Sequence, residues 1–134
     1  MFILRTMKIW LIEDSDIYRK FLGRLFETCT PYAISKEFSD ENTIDELLTS
    51  LSMENTELPD LFLLDLSLPK VNGWEILDSM VQNKIDKPVI VISQSNSKND
   101  IDRSTSYPNV AGYFVKGDFP ANLFAMIGDL DTKI

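Results

Sequence analysis

Apolar residues fall along this chain in short continuous runs separated by stretches of helical spacing. The runs are Lys8-Ile9-Trp10-Leu11-Ile12, a weaker one from Tyr32 to Phe38, Leu61-Phe62-Leu63-Leu64-Asp65, Pro88-Val89-Ile90-Val91-Ile92, and Val110-Ala111-Gly112-Tyr113-Phe114-Val115. A run of this length without polar gaps is what a strand buried on both faces looks like. After the first run, Ser15 or Asp14 can cap a helix in which Ile17, Phe21, Leu22, Leu25 and Cys29 recur at helical spacing, and Thr30-Pro31 stops it. Ser39-Asp40 opens a second helix with Ile44, Leu47, Leu48 and Leu51, and Met53 to Pro59 is a polar loop. Asn72-Gly73 makes a turn ahead of a third helix with Trp74, Ile76, Leu77, Met80 and Val81. Asp118 is placed to cap a last helix, with Pro120 in its first turn and Leu123, Phe124, Met126, Ile127 and Leu130 behind it.

The weak stretch is Ser93 to Asn109, where Ile101 and Tyr107 are the sizeable apolar residues and Val110 follows. A helix there is short and thinly anchored, and is expected to be the least stable element. Strands alternate with helices five times, with short links. That pattern predicts an α/β fold with a parallel sheet and helices on both faces. The chain has no internal repeat, low-complexity segment or linker.

Composition narrows the picture. A length of 134 residues with 44% hydrophobic content fits one compact domain spanning residues 1–134. Cys29 is the only cysteine, so no intrachain disulfide is possible and a cytoplasmic setting is expected. No apolar run approaches the ~20 residues of a membrane span. Met1-Phe2-Ile3-Leu4-Arg5 is too short for the apolar part of a signal peptide. With 13 basic and 21 acidic residues the net charge is -8, and no basic run offers a footprint for nucleic acid. The absence of histidine excludes a histidine base, ligand or phosphohistidine within this chain.

Four of the runs end in residues that carry chemistry: Glu13-Asp14, Asp65, Ser93 and Lys116. In a parallel sheet these ends lie along one edge, where open α/β sheets bind their ligands. Taken singly, each has a plainer reading: a loop acid for Asp65, a capping pair for Glu13-Asp14, a turn residue for Ser93, a solvated charge for Lys116. Their convergence is what favours a site. Three clustered carboxylates repel one another, and a hard divalent cation relieves that cost; Mg²⁺ favours one or two carboxylates with waters and phosphate oxygens. A lysine and a hydroxyl add a positive charge and a donor. The set suits a phosphoryl group arriving at one carboxylate, which needs in-line placement and charge neutralisation. Asp65, central in the set, is the expected nucleophile.

These residues resemble a response-regulator receiver domain, over nearly the whole chain. The resemblance rests on Ile12-Glu13-Asp14, on Leu64-Asp65-Leu66-Ser67-Leu68-Pro69 followed by Asn72-Gly73-Trp74-Glu75, on Val91-Ile92-Ser93, and on Tyr113-Phe114-Val115-Lys116. It implies a doubly wound, flavodoxin-like (βα)5 fold with strand order 2-1-3-4-5. It implies a stand-alone receiver with a short extension over residues 1–6 and no output domain. Asp65 would accept a phosphoryl group from a sensor histidine kinase or histidine phosphotransfer protein, with Mg²⁺ or Mn²⁺ required. Asp14 and Asp65 would hold the metal with the Ser67 backbone carbonyl, and Glu13 would act through water. Lys116 would pair with the phosphoryl oxygens, Ser93 would donate to them, and Tyr113 would be the aromatic whose rotamer follows Ser93. Gln94, Ser67 and Ser95 are the positions expected to tune access. Such a switch acts on a downstream protein effector, as a monomer or weak homodimer, through the face made by the fourth helix, last strand and fifth helix.

The sequence departs from the family in three places. Gln94 stands where a small residue is preferred, and is expected to narrow access for small phosphodonors. Gly117 stands where a proline follows a cis peptide; a non-proline cis bond costs ~2.5–4 kcal/mol, so a trans Lys116–Gly117 bond is expected. The first acid is glutamate rather than aspartate. Gln94 and Gly117 also keep open a pseudo-receiver that binds a partner without phosphorylation. A phosphatase with an Asp nucleophile is disfavoured because Asp65-Leu66-Ser67 lacks a second aspartate, and a flavin binder because two acids follow the first strand in place of a phosphate loop.

Overall fold

A computed structural model of the chain describes residues 7–133, so the expected extension over residues 1–6 lies outside the described residues. The elements run β1 (Lys8–Ile12), α1 (Asp16–Cys29), β2 (Ala33–Phe38), α2 (Glu41–Ser52), β3 (Leu61–Asp65), α3 (Gly73–Gln82), β4 (Val89–Ser93), α4 (Lys98–Thr105), β5 (Val110–Val115) and α5 (Pro120–Asp131). The strands form one parallel sheet in the order β2-β1-β3-β4-β5, as expected.

Period-two alternation divides the apolar runs between the two faces. Ile9 and Leu11, Leu61 and Leu63, and Ile90 and Ile92 pack with Leu22 and Phe26 of α1 and Leu123 and Ile127 of α5. Trp10 and Ile12, Phe62 and Leu64, and Val89 and Val91 pack on the other face with Ile44, Leu47 and Leu51 of α2 and Ile76, Leu77 and Met80 of α3. Every residue of β3 and β4 is buried. Full burial of a side chain such as Leu63 contributes roughly 1.5–3 kcal/mol, so the centre of the sheet is the rigid mount of the fold.

Three expectations about helices need correction. The apolar stripe of α1 is not Ile17, Phe21 and Cys29: Ile17 is 84% exposed, Phe21 and Cys29 are exposed, and the buried residues are Leu22 and Phe26. Phe26 packs edge-on against Phe124 of α5, which turns the helix by part of a turn relative to the sequence reading. Val81 of α3 is likewise exposed. Asp118 does not cap α5; its N–H donates to the Val115 carbonyl in the turn, and Phe119 takes the cap position without a side-chain bond, with Pro120 first in the helix. Ser15, Asp40, Asn72 and Ser97 cap α1 to α4 through their side chains.

Gly73 shows why α3 begins where it does. A Cβ there would stand 2.6 Å from the Asp65 carbonyl oxygen and 2.6 Å from Leu66 Cα, both backbone. Only glycine lets the start of α3 press against the end of β3, where the Gly73 N–H donates to the Leu66 carbonyl at 2.9 Å. α4 has the short, thin character expected of it, with eight residues of which Ser104 alone is buried.

Candidate functional site

The register of the sheet brings the strand ends together. Ile12 pairs with Leu64, Asp65 with Ile92, and Ser93 with Val115, so Glu13, Asp65, Ser93 and Lys116 follow one another across the carboxyl edge. Glu13, Asp14 and Asp65 offer carboxylate oxygens within 4.8 Å of one another. Glu13 is 0% and Asp65 3% exposed, whereas Asp14 faces solvent.

Each acid is held locally. Asp65 Oδ1 accepts the Ser67 N–H at 3.0 Å, which ties the chain back on itself just after β3. Asp65 Oδ2 receives the Lys116 ammonium at 3.3 Å. Glu13 Oε2 accepts the Ser15 N–H at 3.1 Å, while Oε1 meets Lys116 Nζ at 2.5 Å. That Oε1 is buried and its contact with the ammonium lacks hydrogen-bond geometry, so the ion pair alone compensates it. The extra methylene of glutamate is what lets this carboxylate reach across to the lysine. Lys116 is itself largely buried, its N–H donates to the Ser93 carbonyl at 2.7 Å, and no cis peptide occurs among the described residues, so the Lys116–Gly117 bond is trans as expected.

Electrostatics follow from burial and crowding. The Glu13 carboxyl is pushed above its ordinary value, first by burial, then by Asp65, against the opposing pull of Lys116. Asp14 is raised by loss of solvation and by Glu13. Burial works to lower the Lys116 pKa, but the close contact with Glu13 and the charges of Asp65 and Glu13 outweigh it, and the net direction is upward. The site therefore holds strongly disfavoured negative charge around one retained cation. A buried Glu13 carboxylate oxygen met only by the Lys116 ammonium, beside two further acids, all hard oxygen donors, fits a small divalent cation of the Mg²⁺ or Mn²⁺ type.

The remaining expected residues sit along the same edge. Ser93 is buried at the end of β4, and its Oγ accepts the Ser95 N–H at 3.1 Å. Tyr113 is half-buried in β5, and its hydroxyl donates to the Ser95 carbonyl at 2.8 Å. Ser67 and Gln94 are exposed, Ser67 two residues after Asp65 and Gln94 directly after Ser93.

Reading the sequence missed two neighbours of the site. Tyr18 lies under Lys116, with Nζ 4.6 Å from the ring centroid. Burial, with Glu13 and Asp65 nearby, pushes the Tyr18 phenol up to about 12. Arg19 donates to the Glu13 carbonyl at 3.0 Å and pairs with Asp16. Both belong to the first turn and a half of α1, directly after the Glu13-Asp14 pair. The available signal was the Ser15 cap, which fixes that turn against the site.

Comparison with known proteins agrees with this architecture. Residues 9–127 match the sequence model of the family described as response regulator receiver domain. The chain is 30% identical over 115 residues to the nitrate/nitrite response regulator protein NarL of Escherichia coli (strain K12), an alignment covering 86% of this chain and 50% of that protein. It is 36% identical over 81 residues to the response regulator Rcp1 of Synechocystis sp., covering 59% of this chain and 54% of that protein. The chain thus spans about half the length of these curated relatives. A crystal structure of a LuxR-family two-component response regulator from Aurantimonas sp. superposes with a TM-score of 0.76 at 26% identity, covering 96% of this chain and 87% of that one. No described helix is long and apolar enough to cross a membrane.

Proposed function

The chain belongs to the response regulator receiver family, whose members are regulatory phosphoacceptor domains of two-component systems rather than catalytic enzymes, and from that premise we propose that it is a phosphorylation-controlled switch with Asp65 as the acceptor. The observation that carries the reading is the buried Asp65 carboxylate, flanked by two further acids and by the ammonium of Lys116 at 3.3 Å. A carboxylate in that setting has a counter-charge waiting for the phosphoryl oxygens.

The step is a displacement at phosphorus. An Asp65 oxygen forms the new P–O bond while the P–N bond of a phosphohistidine donor breaks, and the electron pair leaves on the imidazole nitrogen. Asp65 Oδ1 is already oriented by the Ser67 N–H, which leaves Oδ2, on the Lys116 side, as the attacking atom. Lys116 then exchanges carboxylate contact for phosphoryl contact, and the Ser93 hydroxyl donates to a second phosphoryl oxygen. Asp14 and Asp65, with the Ser67 carbonyl, would hold Mg²⁺ or Mn²⁺, and Glu13 would reach it through water. When bound, the cation neutralises charge on the carboxylates and the transferred group. The 134 residues lack histidine, so the phosphoryl group comes from a phosphohistidine outside them, on a kinase or phosphotransfer domain, and the product acts by binding a protein effector. We read these residues as a receiver domain, monomeric or weakly dimeric.

Intact mass after incubation with a small phosphodonor and Mg²⁺ tests the reading. A single phosphoryl adduct is expected on the wild type, none on Asp65→Asn, and none without the metal. Gln94→Ala should take up phosphate faster from the small donor. No adduct from either a small donor or a phosphohistidine protein would leave the pseudo-receiver in its place.

A further inference from the structure

We propose that Ser95 is a positioning residue that couples the hydroxyl of Ser93 to the first turn of α4. The inference rests on the phosphoacceptor reading above, because it takes the Ser93 hydroxyl to face the incoming group. Ser95 lies in the loop between β4 and α4 and uses every polar atom it has. Its N–H donates to Ser93 Oγ at 3.1 Å. Its carbonyl accepts the Tyr113 hydroxyl at 2.8 Å. Its own hydroxyl donates to Asp100 Oδ2 at 2.7 Å and accepts the Ser97 N–H at 3.1 Å. Ser97 is the cap of α4, and Asp100 lies in its first turn. One residue thus joins the end of β4, the side chain of β5 and the start of α4.

Hydroxyl chemistry gives the link a direction. A serine Oγ has two lone pairs and one proton. The Ser95 N–H occupies a lone pair of Ser93, which leaves the Ser93 proton free for an acceptor arriving at Asp65. When that acceptor draws Oγ toward itself, Ser95 follows or loses its bond. The Ser95 hydroxyl passes the displacement to a carboxylate, and a bond to a charged acceptor is about twice as strong as a neutral one. The link therefore holds better than the solvent-facing loop around it.

The receiving element is built to yield. Of the eight residues of α4 only Ser104 is buried, so little apolar packing opposes a shift of its first turn. The other end of the helix is clasped to α3. The Arg103 guanidinium lies 4.1 Å from the Trp74 ring centroid, Trp74 stacks on Tyr107 at 6.2 Å, and the Tyr107 hydroxyl donates to Asp78 at 2.6 Å. A helix tied to the site at one end and to an aromatic clasp at the other delivers a motion of Ser93 to the surface as a tilt.

Backbone amide shifts of the isotope-labelled protein, titrated with Mg²⁺ and the phosphoryl mimic beryllofluoride, test this in the wild type, Ser95→Ala and Ser95→Thr. The alanine removes the hydroxyl and leaves the backbone bonds to Ser93 and Tyr113; the threonine keeps a hydroxyl. Amides flanking Asp65 and Lys116 should reach the same shifts at saturation in all three proteins, whatever the midpoint, because coupling to α4 also feeds back on affinity. Amides from Lys98 to Thr105 should respond in the wild type and Ser95→Thr and lose most of their response in Ser95→Ala. Asp100→Ala should reproduce that loss and serves if Ser95→Ala does not fold. An α4 response in Ser95→Ala equal to wild type overturns the coupling and leaves the phosphoacceptor reading intact. A fall that scales both groups of amides together marks a merely structural serine and also overturns it. No response near Asp65 in the wild type overturns the phosphoacceptor reading, and the coupling with it.

Discussion

β3 and α4 border the same site and are held in opposite ways. All five residues of β3 are buried, strand neighbours stand on both sides, and Asp65 is the last of them. α4 has one buried residue, and the Ser104 hydroxyl bonds only to the Ile101 carbonyl of its own helix. What secures α4 is polar: the Ser97 cap, the Ser95–Asp100 bond and the Arg103–Trp74 contact. The difference teaches where each job goes. Groups that need fixed spacing are mounted on dry strands, where apolar packing enforces position. The element that is to answer a change is mounted on hydrogen bonds, which water can replace at small cost.

The largest test of this contrast is truncation on each side. Leu63→Ala should cost about 2–5 kcal/mol of unfolding free energy in urea. Ile101→Ala, at a half-buried position of α4, should cost no more than about 1 kcal/mol. Equal losses would break the comparison.

Next in size is the charge crowding of the stiff half. Mg²⁺ at a hundred times its dissociation constant should add about 2.7 kcal/mol to the wild type, read as a rise in melting temperature. Asp65→Asn removes one of three crowded carboxylates, so it should raise the melting temperature of the metal-free protein and lose most of the Mg²⁺ effect. A melting temperature blind to both changes would mean that these carboxylates do not share a field.

A pH profile sharpens the same point. The folded state raises Glu13 above its ordinary 4.5, mainly through burial. Between that ordinary value and the raised one, the folded protein binds more protons than the unfolded chain, so stability from this group rises as pH falls. Metal-free Glu13→Gln should therefore be more stable than wild type at neutral pH, and the gap should close as pH drops toward the ordinary value of 4.5. Asp14 is raised partly by Glu13, so Glu13→Gln relieves part of that shift as well and adds to the gap in the same direction. A gap that widens on acidification would mean that Lys116 dominates Glu13.

The smallest effect concerns the clasp. Arg103→Ala should cost about 0.5–1 kcal/mol and change Trp74 emission, since its guanidinium sits over that ring.

The two halves also differ in how far the sequence discloses them. β3 and β4 nearly match their apolar runs because every position is buried, and β1 and β5 keep the length of theirs although Lys8 and Ala111 are exposed. Glu13, Asp65, Ser93 and Lys116 were legible because each ends such a run. The register that sets them side by side was not, and neither were the contacts that depend on it. Tyr18 under Lys116 reads as one more aromatic on a helix until α1 is docked. The stripe of α1 was misread because Ile17 and Phe21 keep helical spacing yet point to solvent, while Phe26 finds Phe124. Hydropathy says that a residue can be buried; only a partner on another element decides whether it is. Ser95 and Asp100, five apart in a polar stretch, carry no periodic signal at all.

Hydrogen–deuterium exchange, followed amide by amide with and without Mg²⁺ and beryllofluoride, tests the contrast most directly. We predict exchange of Lys98 to Ser106 far faster than that of Leu61 to Asp65 in the free protein. On filling the site, the change in protection should concentrate between Ser93 and Ser106, with β3 still exchanging only by global unfolding. Slow exchange across α4 in the free protein, or a change spread evenly over the sheet, would contradict a stiff site driving a yielding helix.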